Sequence, residues 1–162
     1  PMDLYRWPAN LFVAQFIGSP PMALLPVRVG PGSSLMLEER RLPVAGPLAD
    51  ALLTREGEAI TAGLRPEGWR VAPATNRNLS AEVSSTEVLG NEQLTTCRLH
   101  EGNHLITVRC PPDLNIVSGQ TLHLEPDPEG WRFFDGAGDA IPVPQGQESE
   151  PLKQPELPQI SG

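Results

Sequence analysis

Proline and glycine interrupt this chain so often that few architectures remain open to it. There are 19 Pro and 15 Gly among 162 residues, against roughly 12% for the two together in ordinary chains. The longest stretch free of both, residues 74–89, is 16 residues long. Helix bundles, coiled coils and alternating βα folds need repeated uninterrupted helical stretches, so the count disfavours all three. Many short strands joined by turns, as in a sandwich or barrel, remain.

The apolar pattern places the strands and helices. The predicted strands are Leu24–Val29, Ser33–Leu37, Ala59–Leu64, Leu79–Leu89, Leu94–Leu99, His104–Cys110, Thr121–Leu124 and Trp131–Phe134. The turn at 101–103 predicts a hairpin that pairs Leu99 with Leu105. A short helix is predicted over Ala9–Ile17, with Pro8 in its first turn and Gly18 as its stop, and its apolar character predicts that most of its circumference is buried. Residues 47–55 predict one or two further helical turns, and Glu38-Glu39-Arg40-Arg41 is expected to be a charged face or loop.

The charge balance excludes several classes of function. The formal net charge is -8, with eleven Arg and a single Lys, Lys153. An acidic chain lacks the cations that supply most of the affinity for a phosphate backbone, so we expect no nucleic-acid partner. A phosphate loop needs Lys directly before Ser or Thr, whereas Lys153 precedes Gln. The start carries no secretory signal and there are two cysteines, which together predict a reducing, cytoplasmic setting.

Metal-ligating and nucleophilic residues are sparse. His100 and His104 have the spacing of a helical zinc pair, but the turn between them predicts a hairpin and no third ligand is apparent. Cys97 and Cys110 are expected to be two buried thiols, since the predicted register sets Cys97 opposite Thr107. There is no G-x-S-x-G elbow. From the residues alone the chain is an acidic, mainly β domain, and no catalytic residue, cofactor site or metal site is predicted.

The order of several motifs carries a family resemblance. The segment YRWPANLFVAQFIGSPPMALL, from Tyr5, resembles the join between the ATPase and regulatory domains of sugar-importer ABC ATPases of the maltose and glycerol-3-phosphate type. GLRPEG at 63–68 is similar to the family's G-I-R-P-E-H, and VSSTEVLGNEQ at 83–93 to its V-x-x-x-E-x-L-G segment. ITVRCPP, SGQTLHLEP and RFFDGAGDAI follow in the family's order. Ala23 and Gly68 depart from the family's frequent Asn and His, and Gly68 removes any role carried by that imidazole.

The resemblance implies a regulatory domain of the transport-associated OB (TOBE) type, built from OB-like β-barrels with one short N-terminal helix. It implies three parts: a linker and helix at 1–22, the β domain at 23–143, and an acidic Pro-rich tail at 144–162 that we expect to be disordered. ATP and Mg would bind in an ATPase domain preceding this chain, so the chain by itself is not expected to be an enzyme. The implied partners are that ATPase domain, a second copy in a homodimer, the permease subunits indirectly, and a regulatory protein or metabolite. The implied location is the cytoplasmic face of the bacterial inner membrane.

Six residues are candidates for regulatory or interface contacts: Arg65, Glu67, Glu87, Trp69, Phe133 and Asp135. For Arg65 and Glu67 the alternatives are an inter-domain or dimer contact and an ion pair, mutual or with a neighbour, that fixes the turn at Pro66. Glu87 has the same two alternatives. Trp69 and Phe133 are most simply core aromatics, with Phe134 an edge residue and Asp135 a turn cap. The alternative function is a barrel that senses a sugar, an oxyanion or a metabolite.

Overall fold

The computed structural model describes residues 2–76 and 78–144 and contains ten strands. Helices α1 and α2 span Met2–Arg6 and Leu11–Phe16, and α3 spans Pro47–Ala51. A single 3-10 turn covers Pro66–Gly68. The strands are β1 Ala23–Gly30, β2 Ser34–Leu37, β3 Arg40–Leu42, β4 Ala59–Leu64, β5 Trp69–Val71, β6 Leu79–Leu89, β7 Glu92–Leu99, β8 Leu105–Cys110, β9 Thr121–Pro126 and β10 Arg132–Phe134.

The strands form two five-stranded antiparallel sheets around one main core. The first sheet has the order β10-β4-β1-β2-β3 and the second β5-β9-β6-β7-β8. In the second sheet β8 also lies against β5 and the 3-10 turn, so this sheet curls back on itself. Alternate residues of the strands face inward, as in β7, where Leu99, Cys97 and Thr95 are buried. The mainly β prediction is confirmed.

All eight predicted strands are present, and two further strands were missed. β3 lies within the segment expected to be a charged loop, and it is a strand because it pairs with β2, with Leu42 opposite Leu35. β5 follows the 3-10 turn directly and pairs with β9 through Trp69 and Pro126. Each missed strand has three residues, too few to show a period of two, so pairing with a neighbour decides its conformation.

The predicted hairpin exists, but its predicted register is wrong. Leu105 pairs with Arg98, and the Leu99 amide donates to the His104 carbonyl at 2.8 Å. Four residues, not five, separate Leu99 from the residue opposite it, and two of them, Gly102 and Asn103, take positive φ, 73° and 59°. A shift of one residue exchanges the faces of a strand, so Ile106 is buried while Leu105 is 53% exposed. Cys97 consequently lies opposite Ile106 and not Thr107.

The first predicted helix is shorter and more exposed than expected. The structure has α2 at Leu11–Phe16, because the Asn10 side chain accepts from the Val13 amide at 2.9 Å and caps the helix there. Pro8 therefore lies before the helix, while Gly18, at φ 101°, follows its end. Ala14 is its one buried residue, so the expectation that most of its circumference is buried was wrong. The preceding helix α1 was not predicted.

The third helix packs on the core as its apolar spacing predicts. Leu48 and Leu52 are each 1% exposed, whereas Leu53, expected on the same face, is 67% exposed. No helix in the described part of the chain is long and apolar enough to span a bilayer. The predicted division at 22 and 143 stays a prediction, and the predicted tail, apart from Pro144, lies outside the described residues.

Candidate functional site

Arg65 joins the N-terminal segment to the β domain. It follows β4, in extended conformation, and Pro66 starts the turn that the Gly68 amide closes on the Arg65 carbonyl at 2.8 Å. Its guanidinium donates to the carbonyls of Ile17 at 2.5 Å and Tyr5 at 2.9 Å. The same group lies over the Tyr5 ring, 4.2 Å from the centroid. Arg65 is 7% exposed, so a buried cation holds both ends of the helical segment.

Glu67 continues this contact on the surface side. Its carboxylate accepts from the Tyr5 hydroxyl at 2.5 Å and lies 3.9 Å from the Arg109 guanidinium, which is 3.2 Å from Glu92. We call Tyr5, Arg65, Glu67, Glu92 and Arg109 the Arg65 cluster. Arg65 and Glu67 do not bond to each other, so the predicted ion pair between these two residues is wrong. The other predicted ion pair, between one of them and a neighbouring residue, corresponds to the contact between Glu67 and Arg109.

Burial shifts the ionisation of two members of this cluster. Desolvation lowers the pKa of Arg65, partly offset by the Tyr5 and Glu67 charges. Desolvation and the hydrogen bond to Glu67 raise the pKa of Tyr5. The two shifts therefore have one main cause, the burial of both side chains where the segment meets the β domain. The cluster is thus suited to holding a segment in place.

A small cavity of about 170 Å³ lies beside the cluster, lined in part by Tyr5, Arg65, Glu67 and Arg132. Arg132 lies over the Trp7 ring, 3.6 Å from its centroid, and its side chain also donates to the Arg6 carbonyl. Arg132 on β10 and Arg65 directly after β4 therefore both hold the segment around α1, each by a cation–π contact and a backbone carbonyl. Sequence reasoning missed Tyr5, Trp7, Glu92, Arg109 and Arg132. Tyr5 and Trp7 lie in the first family motif and Arg109 lies in the motif ITVRCPP. Membership of these motifs is the one sequence signal that could have pointed to these three residues.

Asp135 shapes the turn against which α2 lies. Its carboxylate accepts from the amides of Ala137 at 2.9 Å and Asp139 at 3.0 Å, the arrangement expected of a turn cap. From this turn the Gly138 carbonyl accepts from the Leu11 amide at 2.9 Å. Asp135 thus positions the start of α2 through the backbone of its turn.

Trp69 and Phe133 lie in the core and not on a surface. Trp69 is 3% exposed and meets Trp131 edge-to-face with centroids 6.3 Å apart. Phe133, on β10, is 2% exposed. Phe134, expected to be an edge residue, is fully buried beside Ala14 and Met22. Phe134 does lie on an edge strand of the first sheet, β10, and it is nevertheless buried because α2 covers its face.

Glu87 is separate from the other candidates. It is exposed near the tip of the β6–β7 hairpin, opposite Leu94. Val88 and Leu89 beside it are 58% and 44% exposed. Glu87 forms no ion pair with the described residues, so the hairpin tip presents one carboxylate next to two apolar side chains.

The outer face of α2 carries an exposed aromatic pair. Phe12 and Phe16 are 69% and 68% exposed, and their rings are 4.8 Å apart between centroids. Two large apolar rings in contact and in water are unusual on a soluble surface and typical of an interaction site. Among the described residues no group of three or more metal-ligating side chains comes together.

Comparison with family models matches most of the β structure in two parts. The model described as MalK OB fold domain matches residues 18–68, and the model described as TOBE domain matches residues 62–134. The two matches are adjacent and meet at the 63–68 motif, around Arg65 and Glu67.

The curated relatives share a common description. The sn-glycerol-3-phosphate import ATP-binding protein UgpC of Bordetella pertussis is 37% identical over 78% of this chain and 34% of its own length. The proteins of the same name from Paraburkholderia xenovorans and Chromohalobacter salexigens are 34% and 33% identical, over 85% and 94% of this chain and 38% and 40% of their own lengths. The chain thus spans about a third to two fifths of the relatives it matches.

One solved structure has a similar fold. It is the cytoplasmic molybdate-binding protein ModG with molybdate bound, at a TM-score of 0.55 and 13% identity, covering 74% of this chain and 95% of that one. At this identity the similarity concerns the fold alone.

Proposed function

Because this chain belongs to the TOBE-domain family of ABC importer ATP-binding subunits, we propose that it is the regulatory and dimerisation segment of such a subunit. In this proposal ATP and Mg bind in an ATPase domain that precedes residue 1, and the chain itself hydrolyses nothing. The parent subunit lies at the cytoplasmic face of the membrane against its permease subunits. The solute class is sugars or related solutes such as glycerol phosphate.

The observation that carries this proposal is the order of the two matched domains. In this chain a match to a MalK-type OB fold precedes a match to a TOBE domain, and the same chain aligns at 33–37% identity with relatives whose names describe ATP-binding proteins of an importer. Identity at this level over most of the chain supports the same placement here. The relatives' remaining length, outside the match, leaves room for the ATPase domain.

The Arg65 cluster supports a coupling role for the N-terminal segment. Residues 5–17 lie between the proposed ATPase domain and the first strand, and Arg65 binds them at both Tyr5 and Ile17. A movement of that domain would then reach the β domain through a held segment and not a loose linker. We assign the exposed Phe12–Phe16 face to contact with the ATPase domain.

Dimerisation can be tested on the chain itself by sedimentation velocity up to high micromolar concentration. The proposal expects a reversible dimer, with an interface of at least ~1,000 Å². Substituting Phe12 and Phe16 together by Ala should leave the dimer intact, since their face is assigned to another domain. A strictly monomeric chain would contradict dimerisation through this segment alone, and loss of the dimer in the double variant would move the aromatic face into the dimer interface.

A further inference from the structure

A cleft of about 1090 Å³ opens where the two sheets meet, and it shares no lining residue with the cavity beside Arg65. The first sheet contributes the β1–β2 turn, β3 and the residues that follow it, and the second sheet contributes the end of β9. Strand β3 is therefore both an edge strand and a wall of this cleft.

Ser33 provides a buried hydroxyl without a partner. Ser33 lines the cleft and is 9% exposed, yet its Oγ has no hydrogen-bond partner among the residues that the structure describes. A buried hydroxyl without a partner costs free energy. Ser33 also takes φ 58°, a conformation uncommon for residues other than glycine. A bound ligand that bonded to this hydroxyl would remove the cost.

The charged groups on the cleft balance each other. Arg41 donates to the Pro31 carbonyl at 3.0 Å and forms no ion pair with any described residue. Arg40 is held by Glu101 at 3.2 Å and by the Asn76 carbonyl at 2.8 Å. The cleft lining also holds two carboxylates: Glu125, which is paired with Arg70 just outside the lining, and Glu39, which stands against Arg41. A free anion would therefore gain little net electrostatic attraction here.

The rest of the lining is mostly apolar. It consists of Leu42, Pro43, Val44, Pro126 and Pro128, together with Gly32, Ser34 and Asn76. Small-molecule sites combine such apolar walls with a few polar groups that fix the ligand's orientation. Guanidinium groups only donate hydrogen bonds and carboxylates only accept them, whereas a ligand hydroxyl does both.

We propose that the cleft at β3 binds a neutral polyhydroxylated molecule of the sugar type, with Ser33 and Arg41 as its main polar contacts. Such a ligand offers hydroxyls that accept from Arg41, donate to Glu39 and bond to Ser33, and it offers C–H faces to the proline wall. It has no charge to be opposed by the two carboxylates. This site would be a sensing function additional to dimerisation, and its test does not depend on the oligomeric state.

The test is titration calorimetry on the whole chain with glucose, maltose and glycerol as neutral probes and with inorganic phosphate and molybdate as anionic probes. Backbone amide NMR shifts during the same titrations locate the site. The informative variants are Ser33→Gly, which removes the hydroxyl and accepts the positive φ, and Arg41→Ala. Arg98→Ala is the matched control, because Arg98 bonds to the Asn103 carbonyl at 2.8 Å on the other sheet.

The proposal expects at least one neutral probe to bind, with shifts confined to residues 32–44 and 125–128. Ser33→Gly and Arg41→Ala should each weaken binding about threefold to tenfold, the loss of one hydrogen bond, and Arg98→Ala should not change it. Binding of the anions alone, no binding of any probe, or neutral binding that both cleft variants leave unchanged would each overturn it. A dimer observed without sugar binding would overturn this inference and leave the proposed function standing.

Discussion

Removing the Arg65 guanidinium should release the N-terminal segment from the β domain. Arg65→Ala deletes two hydrogen bonds from a charged donor, to Tyr5 and Ile17, and a cation–π contact with the Tyr5 ring. Hydrogen bonds of a charged group contribute about 1.5–3 kcal/mol each, and a cation–π contact contributes about 0.5–2 kcal/mol, the larger value applying to a desolvated cation such as Arg65. The variant also no longer buries a cation, which offsets part of this loss. We therefore expect the segment's opening free energy to fall by about 2–4 kcal/mol.

Amide hydrogen exchange measures this opening locally. Protection of the Ala14 and Ile17 amides, which donate within α2 to Asn10 and Val13, should fall by about 30-fold or more. Protection in β6 and β7 should change little, because the core does not depend on Arg65. The exposed-arginine variant Arg98→Ala is the control and should behave as wild type. Unchanged protection of α2 in Arg65→Ala would refute the role given to Arg65.

Two further predictions concern packing and ionisation. Gly68→Ala should destabilise the domain by about 1–3 kcal/mol in chemical denaturation, because a Cβ there would lie 2.7 Å from Leu64 Cδ1, and an unchanged midpoint would contradict the packing. Burial raises the pKa of the Cys97 thiol to about 12, from an ordinary value near 9, so Cys97 should resist thiol reagents at pH 8 until the chain unfolds. Because the Cys97 thiol loses its proton at a lower pH in the unfolded chain than in the folded one, the stability that the buried thiol contributes should fall as pH rises from about 9 towards about 12. Rapid labelling of Cys97 in the folded chain at pH 8 would contradict the burial on which both statements depend.

The sequence predicted the strands well where an alternating pattern was long enough to read. The bounds of β4 and β6 are those predicted, since apolar residues alternate or cluster between clear turn signals. The hairpin at 101–103 was found, but its register was wrong by one residue, with Leu105 opposite Arg98 and not Leu99. Nothing in the sequence pattern indicated that Asn103, which is not a glycine, takes positive φ.

Two residues of the candidate site, Arg65 and Glu67, were predicted from the sequence, but their partners were not. Arg65 and Glu67 were singled out because charge beside Pro66 is costly to bury alone, and both residues do lie at the junction. Their partners come from distant parts of the chain, Tyr5 at a separation of 60 residues from Arg65. No local pattern reports such a contact, and the two carbonyls that Arg65 binds have no sequence signal at all.

The exposure of α2 could not be read from its composition. The apolar character of Ala9–Ile17 predicts burial, but which face is covered depends on the turn held by Asp135 and on Phe134 beneath the helix. The Phe12–Phe16 face is left outside, and we assign it to another domain of the parent subunit. The difference between predicted and observed burial is thus the basis for that assignment.

The most direct measurement of the proposed role uses a chimera. This chain would replace the matched segment of the Bordetella pertussis relative, and import of sn-glycerol 3-phosphate would be measured beside the unaltered protein and a form truncated before that segment. We predict that the chimera retains import and subunit dimerisation above the truncated form, and that Arg65→Ala in the chimera lowers both. A well-folded, normally expressed chimera that behaves like the truncated form would contradict the assignment of this chain to such a subunit.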